Sequence, residues 1–411
     1  MAWYTDLAMR SGDGDWMICG VSLRSRDVAQ QLNPQDGLYT VTSKSADGGH
    51  TSLVGSVRQV LFAPDDADAI VAQIADPCCH IVSFTVTEKG YARAPDGTLD
   101  MAQAAAGFYP LLQAGLARRR ANGLPGVTLL SCDNLPDNGR VLGDLVAQWV
   151  GRADPGLAEW IAAECTAPST MVDRIVPRTS ADDLAELQDR LGMTDQGAVF
   201  TEDFSQWVIE DRFAGPRPEW ERHGVQVVAD VAPYEMAKLR MLNGAHSLLA
   251  YCGLRRDHTF VHQAVGDPYL RELADRLMRE EAIPTIPTAS GMDLHDYADR
   301  LLARFDNPSL NHRLDQIAMD GTQKIPQRWL ATAQALDDRG IEFAAIAEAF
   351  DAWLWHLIDG RFVNDPEADR LQDAARSQSP RAEILRHCFG PLHGGKSPLW
   401  AQFAPLKSRF E

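Results

Sequence analysis

The sequence predicts an α/β domain followed by an all-helical domain. Two patterns carry this: short apolar, β-rich runs alternate with helical stretches up to about residue 230, and long helical periodicities alone follow. A third observation is the composition, 45% apolar and 23% charged residues, which lets a chain of 411 residues bury a sizeable core. At about 150 residues per domain the length asks for two or three domains. The division is placed at 1–228 and 229–411.

The first half has candidate strands at 16–23, 59–62, 80–87 and 127–131. The 80–87 run is almost wholly apolar or β-branched, as a strand covered on both faces should be. A helix is predicted over 101–122, ending in Arg118, Arg119 and Arg120 beside its negative dipole end, with Gly123 as its cap. This rhythm builds a mostly parallel sheet. In the second half the predicted helices are 234–252, 269–281, 294–305, 326–336 and 341–358, separated by Pro- and Gly-containing breaks.

Charge and cysteine usage narrow the function classes. With 39 basic and 57 acidic residues the net charge is −18, which repels nucleic-acid phosphates and anionic headgroups. The expected partner is a small molecule, with no nucleic acid and no membrane. The seven cysteines, Cys19, Cys78, Cys79, Cys132, Cys165, Cys252 and Cys388, are odd in number and form no CxxC pair, so neither a disulfide framework nor a zinc site is expected. A reducing cytoplasm suits that pattern, and no run approaches the ~20 apolar residues of a membrane span.

Two polar clusters stand out. On a helix through 234–246, Lys238, Glu235, His246 and Asn243 fall at about 0°, 60°, 80° and 140°, sharing a face with Leu242 and Leu249. Polar groups on a buried face are either mutually satisfied or functional, and a desolvated lysine near neutrality is a general base for an alcohol. The second cluster, Ser131 to Gly139, follows a candidate strand, where open α/β sheets bind ligands. Asn134 there is a donor for a developing alkoxide, whereas Asp137, Asn138 and Gly139 read as a turn. Thr87, Glu88, Lys89 and Gly90 close the preceding strand, either lining a cofactor or forming a polar loop. Asp27 follows the first candidate strand, where dinucleotide folds place a ribose-binding acid, but no GxGxxG precedes it.

Taken together these strings resemble the polyol-specific long-chain dehydrogenase/reductase family, which includes mannitol 2-dehydrogenase and fructuronate reductase (D-mannonate oxidoreductase). The resemblance rests on Trp-Met-Ile-Cys-Gly-Val at 16–21, Thr-Val-Thr-Glu-Lys-Gly-Tyr at 85–91 and Ser-Cys-Asp-Asn at 131–134. It also rests on Met-Val-Asp-Arg-Ile-Val-Pro at 171–177, Gln-Trp-Val-Ile-Glu-Asp at 206–211 and Lys-x4-Asn-x2-His at 238, 243 and 246. It implies a Rossmann-like N-terminal domain and an all-α C-terminal domain. It further implies Lys238 as general base, Asn134 and Asn243 polarising the carbonyl, His246 orienting substrate, and Glu235 with Asp173 relaying protons. Direct hydride transfer needs no metal.

In this family a strand and a Gly-x-Gly-x-Phe-His-Arg-Ala-His segment precede the stretch that Ala2 to Asp6 resembles, about forty residues in all. The expectation is therefore a domain without its first strand and glycine-rich loop, exposing apolar surface. One alternative function follows from it: a chain inactive for lack of the phosphate loop.

The string 307–328 is similar to the fructuronate reductase branch, with Gln316 where mannitol dehydrogenases carry arginine. It leaves Lys324 and Arg313 as cations for a uronate carboxylate or for sugar hydroxyls, or as plain surface charges. Asp27 favours NAD, and the adjacent Arg26 admits NADP. The expected enzyme interconverts a keto sugar acid or ketose with its reduced form, D-fructuronate and D-mannonate first. A mannitol- or arabinitol-type polyol 2-dehydrogenase is the alternative. It is expected to be cytoplasmic, as a monomer or weak homo-oligomer.

Overall fold

The computed structural model describes residues 1–14, 16–44, 49–94, 96–288, 291–308, 311–360, 363–380 and 383–384. Cys388 and residues 309–310 of the 307–328 string lie outside them. The chain forms two compact units, Met1–Ala232 and Pro233–Glu411.

The first unit contains two parallel strand pairs. β1 (Ile18–Ser22) pairs with β4 (Val57–Phe62), in register from Cys19 opposite Gln59 to Ser22 opposite Phe62. β5 (Ile81–Phe84) pairs with β6 (Thr128–Ser131), Phe84 lying opposite Ser131. All four were legible as apolar runs, although the 80–87 run yields only four ladder residues. Beyond Phe84 the chain turns into a short helix, because Asp133 captures the Val86 and Thr87 amides that a strand would have used.

No ladder joins the two pairs among the described residues, yet one core unites them. Leu61 of β4, Phe84 of β5 and Leu129 of β6 are buried together beneath helices α3 (Ala63–Ile74), α6 (Tyr109–Ala121) and α7 (Asn138–Ala153). Val21 of β1 remains 43% exposed.

The predicted helix 101–122 is two helices. Asp100 caps α5 (Met101–Ala105) through the Ala102 and Gln103 amides, and α6 restarts at Tyr109 with Pro110 in its first turn. Of the three consecutive arginines, Arg119 turns inward and donates to the carbonyls of Ile74, Asp76 and Pro125, stapling α6 to the chain that enters β5.

Two further sheets lacked a strong sequence signal because their strands are short or polar. β2 (Tyr39–Lys44) lies between antiparallel β3 (His50–Val54) and parallel β8 (Val199–Glu202). β9 (Gln206–Glu210) lies between antiparallel β7 (Thr170–Asp173) and parallel β10 (Gln226–Val228). The mostly parallel expectation therefore holds for the β1–β4 and β5–β6 pairs, while these two sheets are mixed.

The second unit is helical. One continuous rod combines α10 (Ala232–Ala237), a π-helical stretch Lys238–Asn243 and α11 (Gly244–Arg255), the last buried from Gly244 to Gly253. α13 (Pro268–Arg276) likewise runs into a π stretch, Leu277–Ala282, and α16 (Gly321–Ile325) into another, Pro326–Leu330. α14 (Leu294–Phe305) and α18 (Ala344–Asp359) complete the main packing. Glu281 accepts the Ala345 and Ile346 amides at 2.7 and 2.8 Å, capping α18. Among the described residues, no helix is long and apolar enough to cross a membrane.

Candidate functional site

In the first unit two of the strings that sequence reading singled out, 85–91 and 131–134, meet at the C-terminal ends of β5 and β6, beside Thr170 at the start of β7. The Asp133 carboxylate accepts from the Val86 amide at 2.9 Å, the Thr87 amide at 3.0 Å and the Tyr91 phenol at 2.9 Å. Tyr91 also shares a hydrogen bond of 2.6 Å with the Ser131 hydroxyl. Burial, countered by that Ser131 bond and reinforced by Asp133, raises the Tyr91 pKa well above its usual range, so it remains a phenol.

Asn138 fixes the next junction. Its amide donates to Thr170 O at 2.9 Å and accepts from the Thr170 amide at 2.9 Å, tying the start of α7 to β7. Asn138 and Gly139 thus open a helix, a correction to the turn reading, while Asp137 before them holds the left-handed turn conformation at φ 52°. Gly139 is required there, because a Cβ would lie 2.4 Å from the Pro168 backbone. β7 ends at Asp173, which is buried.

Thr87, Glu88 and Lys89 are exposed on the short helix after β5, and Gly90 completes it. Thr87 has φ 63°, a strained conformation for a β-branched residue, held in place by Asp133. Gly90 has no room for a side chain, since a Cβ would meet Val86 at 2.6 Å. Asn134 is exposed just beyond Asp133.

At the end of β1, Arg26 and Asp27 are both exposed where α2 (Asp27–Leu32) begins. Arg26 is engaged: it pairs with Asp65 and stacks 4.6 Å over the Phe62 ring. Asp27 adds negative charge to the positive end of the helix.

In the second unit Glu235, Lys238, Asn243 and His246 ride the single rod. The 100° wheel does not carry across it, because the π stretch makes i→i+5 bonds and advances fewer degrees per residue. That stretch packs against both of the other π stretches, Leu277–Ala282 and Pro326–Leu330. Widened turns of this kind often mark functional sites.

His246 is buried, stacked on Phe305 at 5.2 Å between ring centroids and edge-on to His312 at 4.7 Å. Its Nε2 is buried with no hydrogen-bond partner among the described residues. Desolvation holds its pKa well below 6.5, and His312, Arg328, Arg304 and Lys324 depress it further, so the ring is neutral. His312 also has a lowered pKa through burial, and its Nδ1 is unpaired in the same way.

The two cations expected to meet substrate differ. Lys324 Nζ donates to Met319 O at 2.6 Å and lies close enough to His246 to act on its charge. Arg313 is exposed and gives its fork to Asp315, at 2.9 Å from Nε and 2.7 Å from Nη2. Arg313 and Asp315 border a cavity of about 220 Å³ with Trp355 and His356. Gln316 is exposed beside them.

Sequence reading missed Arg328, Ser247, His312 and Asp133. Arg328 donates to the Ser247 hydroxyl at 2.6 Å and to Asn243 O at 3.4 Å, and Trp329 donates to Gly244 O at 3.0 Å. The available signal was its spacing, four residues after Lys324 on one helical run.

The family model described as the mannitol dehydrogenase Rossmann domain matches residues 2–222, and the mannitol dehydrogenase C-terminal domain matches residues 230–387. A D-mannonate oxidoreductase of Escherichia coli (strain K12) is 41% identical over 86% of this chain and 76% of its own length. A mannitol 2-dehydrogenase of Pyrenophora tritici-repentis is 38% identical, over 92% of this chain and 71% of its own. The solved structure of Pseudomonas fluorescens mannitol 2-dehydrogenase, a ternary complex with NAD and D-mannitol, superposes with a TM-score of 0.80 at 32% identity. It covers 98% of this chain and 90% of that one.

Proposed function

The chain belongs to the mannitol dehydrogenase family, and on that premise we propose that it is an NAD-dependent oxidoreductase interconverting a keto sugar acid or ketose with its reduced form. D-Fructuronate and D-mannonate are the pair that fits best. The observation that carries this is the placement of Lys238, Asn243 and His246 on one partly widened helix, with Arg304, Lys324 and Arg328 acting electrostatically on His246. A cationic setting favours an acid over a neutral polyol.

The residues present fit a dinucleotide. Asp27 is exposed after β1 and its carboxylate has no ion-pair partner among the described residues, leaving both oxygens for ribose hydroxyls. Thr87 to Gly90 form a braced backbone corner at the C-terminal end of β5, where open sheets hold ligands. Direct hydride exchange with the sugar carbon is the chemistry that a bound nicotinamide supplies.

Lys238 takes the hydroxyl proton during oxidation and returns it during reduction. Asn243 donates to the carbonyl oxygen and to the alkoxide it becomes, the role that the family resemblance also gives Asn134. His246, neutral at physiological pH, orients substrate through hydrogen bonding and not through charge. Glu235 relays the Lys238 proton to solvent, a role that the family resemblance also gives Asp173, and Lys324 contributes a cation to substrate binding. Arg313, already matched by Asp315, has the weaker claim.

A polyol 2-dehydrogenase acting on mannitol or arabinitol is the second reading, favoured by the 38% identity to a fungal mannitol 2-dehydrogenase. NADH oxidation with D-fructuronate and D-fructose in parallel separates the two. Fructuronate-selective turnover supports the acid, fructose preference moves the chain to the polyol reading, and turnover of neither rejects both.

A further inference from the structure

Arg328 sits on the π stretch Pro326–Leu330, packed against the stretch that carries Lys238 and Asn243. Both of its hydrogen bonds, to Asn243 O and Ser247 Oγ, leave from Nη1. The Nε and Nη2 donors, which form the side edge of the guanidinium fork, have no partner among the described residues, and no carboxylate pairs with Arg328 there. This is a costly state for a cation withdrawn from water: burial lowers its pKa to about 10, against an opposing effect of Tyr251.

Asp365, one of two acids that act on Tyr251 together with Arg328, is committed elsewhere. Asp365 accepts the Thr322 amide at 2.8 Å and the Glu367 amide at 3.1 Å, and it acts with Asp320 and Arg328 on Tyr251. By contrast Arg304, Lys324 and Arg328 all act on His246, one residue from Ser247. A planar anion is what such an edge lacks, and a carboxylate matches two parallel N–H donors where a hydroxyl does not.

We propose that Arg328 is the specificity-determining residue of this site, its Nε/Nη2 edge receiving the carboxylate of a sugar-acid substrate beside Asn243 and His246. The inference rests on the Lys238 site reading and assigns acid recognition to a residue other than Lys324 and Arg313. Its plain structural rival is that Arg328 only caps the widened turn.

The test is titration calorimetry of the full chain with D-mannonate and with D-mannitol, each with NAD present and absent, repeated for Arg328→Gln and Arg328→Lys. Expected is tighter binding of mannonate than mannitol by the native chain. Arg328→Gln should lose about 10- to 100-fold in mannonate affinity and less than about threefold for mannitol. Arg328→Lys, which keeps the charge without the fork, should fall between and covers the case in which the glutamine variant fails to fold.

Equal losses for both ligands would assign Arg328 to the cap alone and overturn the proposal. An unchanged mannonate affinity, or no mannonate binding by the native chain, would overturn it equally. The two readings fail separately. Arg328-dependent mannonate binding without NADH-linked turnover rejects the oxidoreductase reading only, and fructose reduction with mannitol bound more tightly than mannonate rejects the carboxylate edge only.

Discussion

Tyr91 and Asp133 share a hydrogen bond of 2.9 Å that joins the chain leaving β5 to the chain leaving β6, and the same carboxylate also holds the Val86 and Thr87 amides. Asp133 is thus the acceptor for three donors from one seven-residue string. Asp133→Ala should orphan the two amides, leave Tyr91 with Ser131 alone and cost about 2–4 kcal/mol of stability, with Asp133→Asn milder because one carbonyl oxygen remains. Because the strained Thr87 corner depends on this carboxylate, NADH affinity should fall together with stability. Urea denaturation and NADH fluorescence titration of both variants check this, and a stable Asp133→Ala with native NADH affinity would show the corner to be self-supporting.

Lys238 is only half-buried on its π stretch, so its removal should spare the fold. Lys238→Ala should lower kcat by about 10²- to 10⁴-fold, the range that a positioned acid–base group contributes, and leave the melting temperature within a degree or two. Partial recovery of turnover with added primary amines would tie the loss to the missing amine. Activity at the native level would remove Lys238 as the base.

Glu281 gives the second unit a pH dependence whose sign can be worked out. Burial raises its carboxyl from the usual 4.5 to about 7, against the opposing effect of the Ala345 and Ile346 amides. The folded chain therefore retains this proton to higher pH than the unfolded chain. The associated stability is fully present below about pH 4.5 and is lost as pH rises through about 7. His246 and His312, with lowered pKa values, work in the other direction and withdraw stability as pH falls below 6.5. The difference between native and Glu281→Gln melting temperatures isolates the carboxyl: it should change between pH 5 and pH 8, and a constant difference would contradict the shift.

How far the sequence carried depends on what kind of interaction decides each feature. β1, β4, β5 and β6 are apolar runs whose burial is visible in composition, and α14 at Leu294–Phe305 follows its helical period to the residue. β2 and β3, with Thr, Ser, Lys and His along them, carry too little apolar signal to stand out from loops. The break between α5 and α6 lies at Ala106–Phe108, where the apolar pattern continues without interruption while the backbone does not. At the candidate site the Lys238, Asn243 and His246 spacing was legible. The π stretch was not, since it occurs where three helical runs pack together. Arg313 looked like an available cation although its partner, Asp315, is two residues away, and Arg328 carried no signal of its own before the fold withdrew it from water.

Arg26 and Asp27 stand side by side at the start of α2, one suited to NADP and the other to NAD, and their surroundings decide between them. Arg26 is already neutralised by Asp65 and stacked on Phe62, so welcoming a 2′-phosphate would require it to leave both. Asp27 has no such counter-charge among the described residues and would repel that phosphate while accepting from the ribose hydroxyls. The expected preference is therefore NAD, and Asp27→Ser should shift the NADPH-to-NADH ratio of kcat/KM towards NADPH by about 10- to 100-fold, one charge repulsion of order 1.4–2.8 kcal/mol. Asp65→Ala, by freeing Arg26, should shift the ratio in the same direction by a smaller factor. If Asp27→Ser leaves the ratio unchanged, the ribose lies elsewhere and the end of β1 is not the discriminating position.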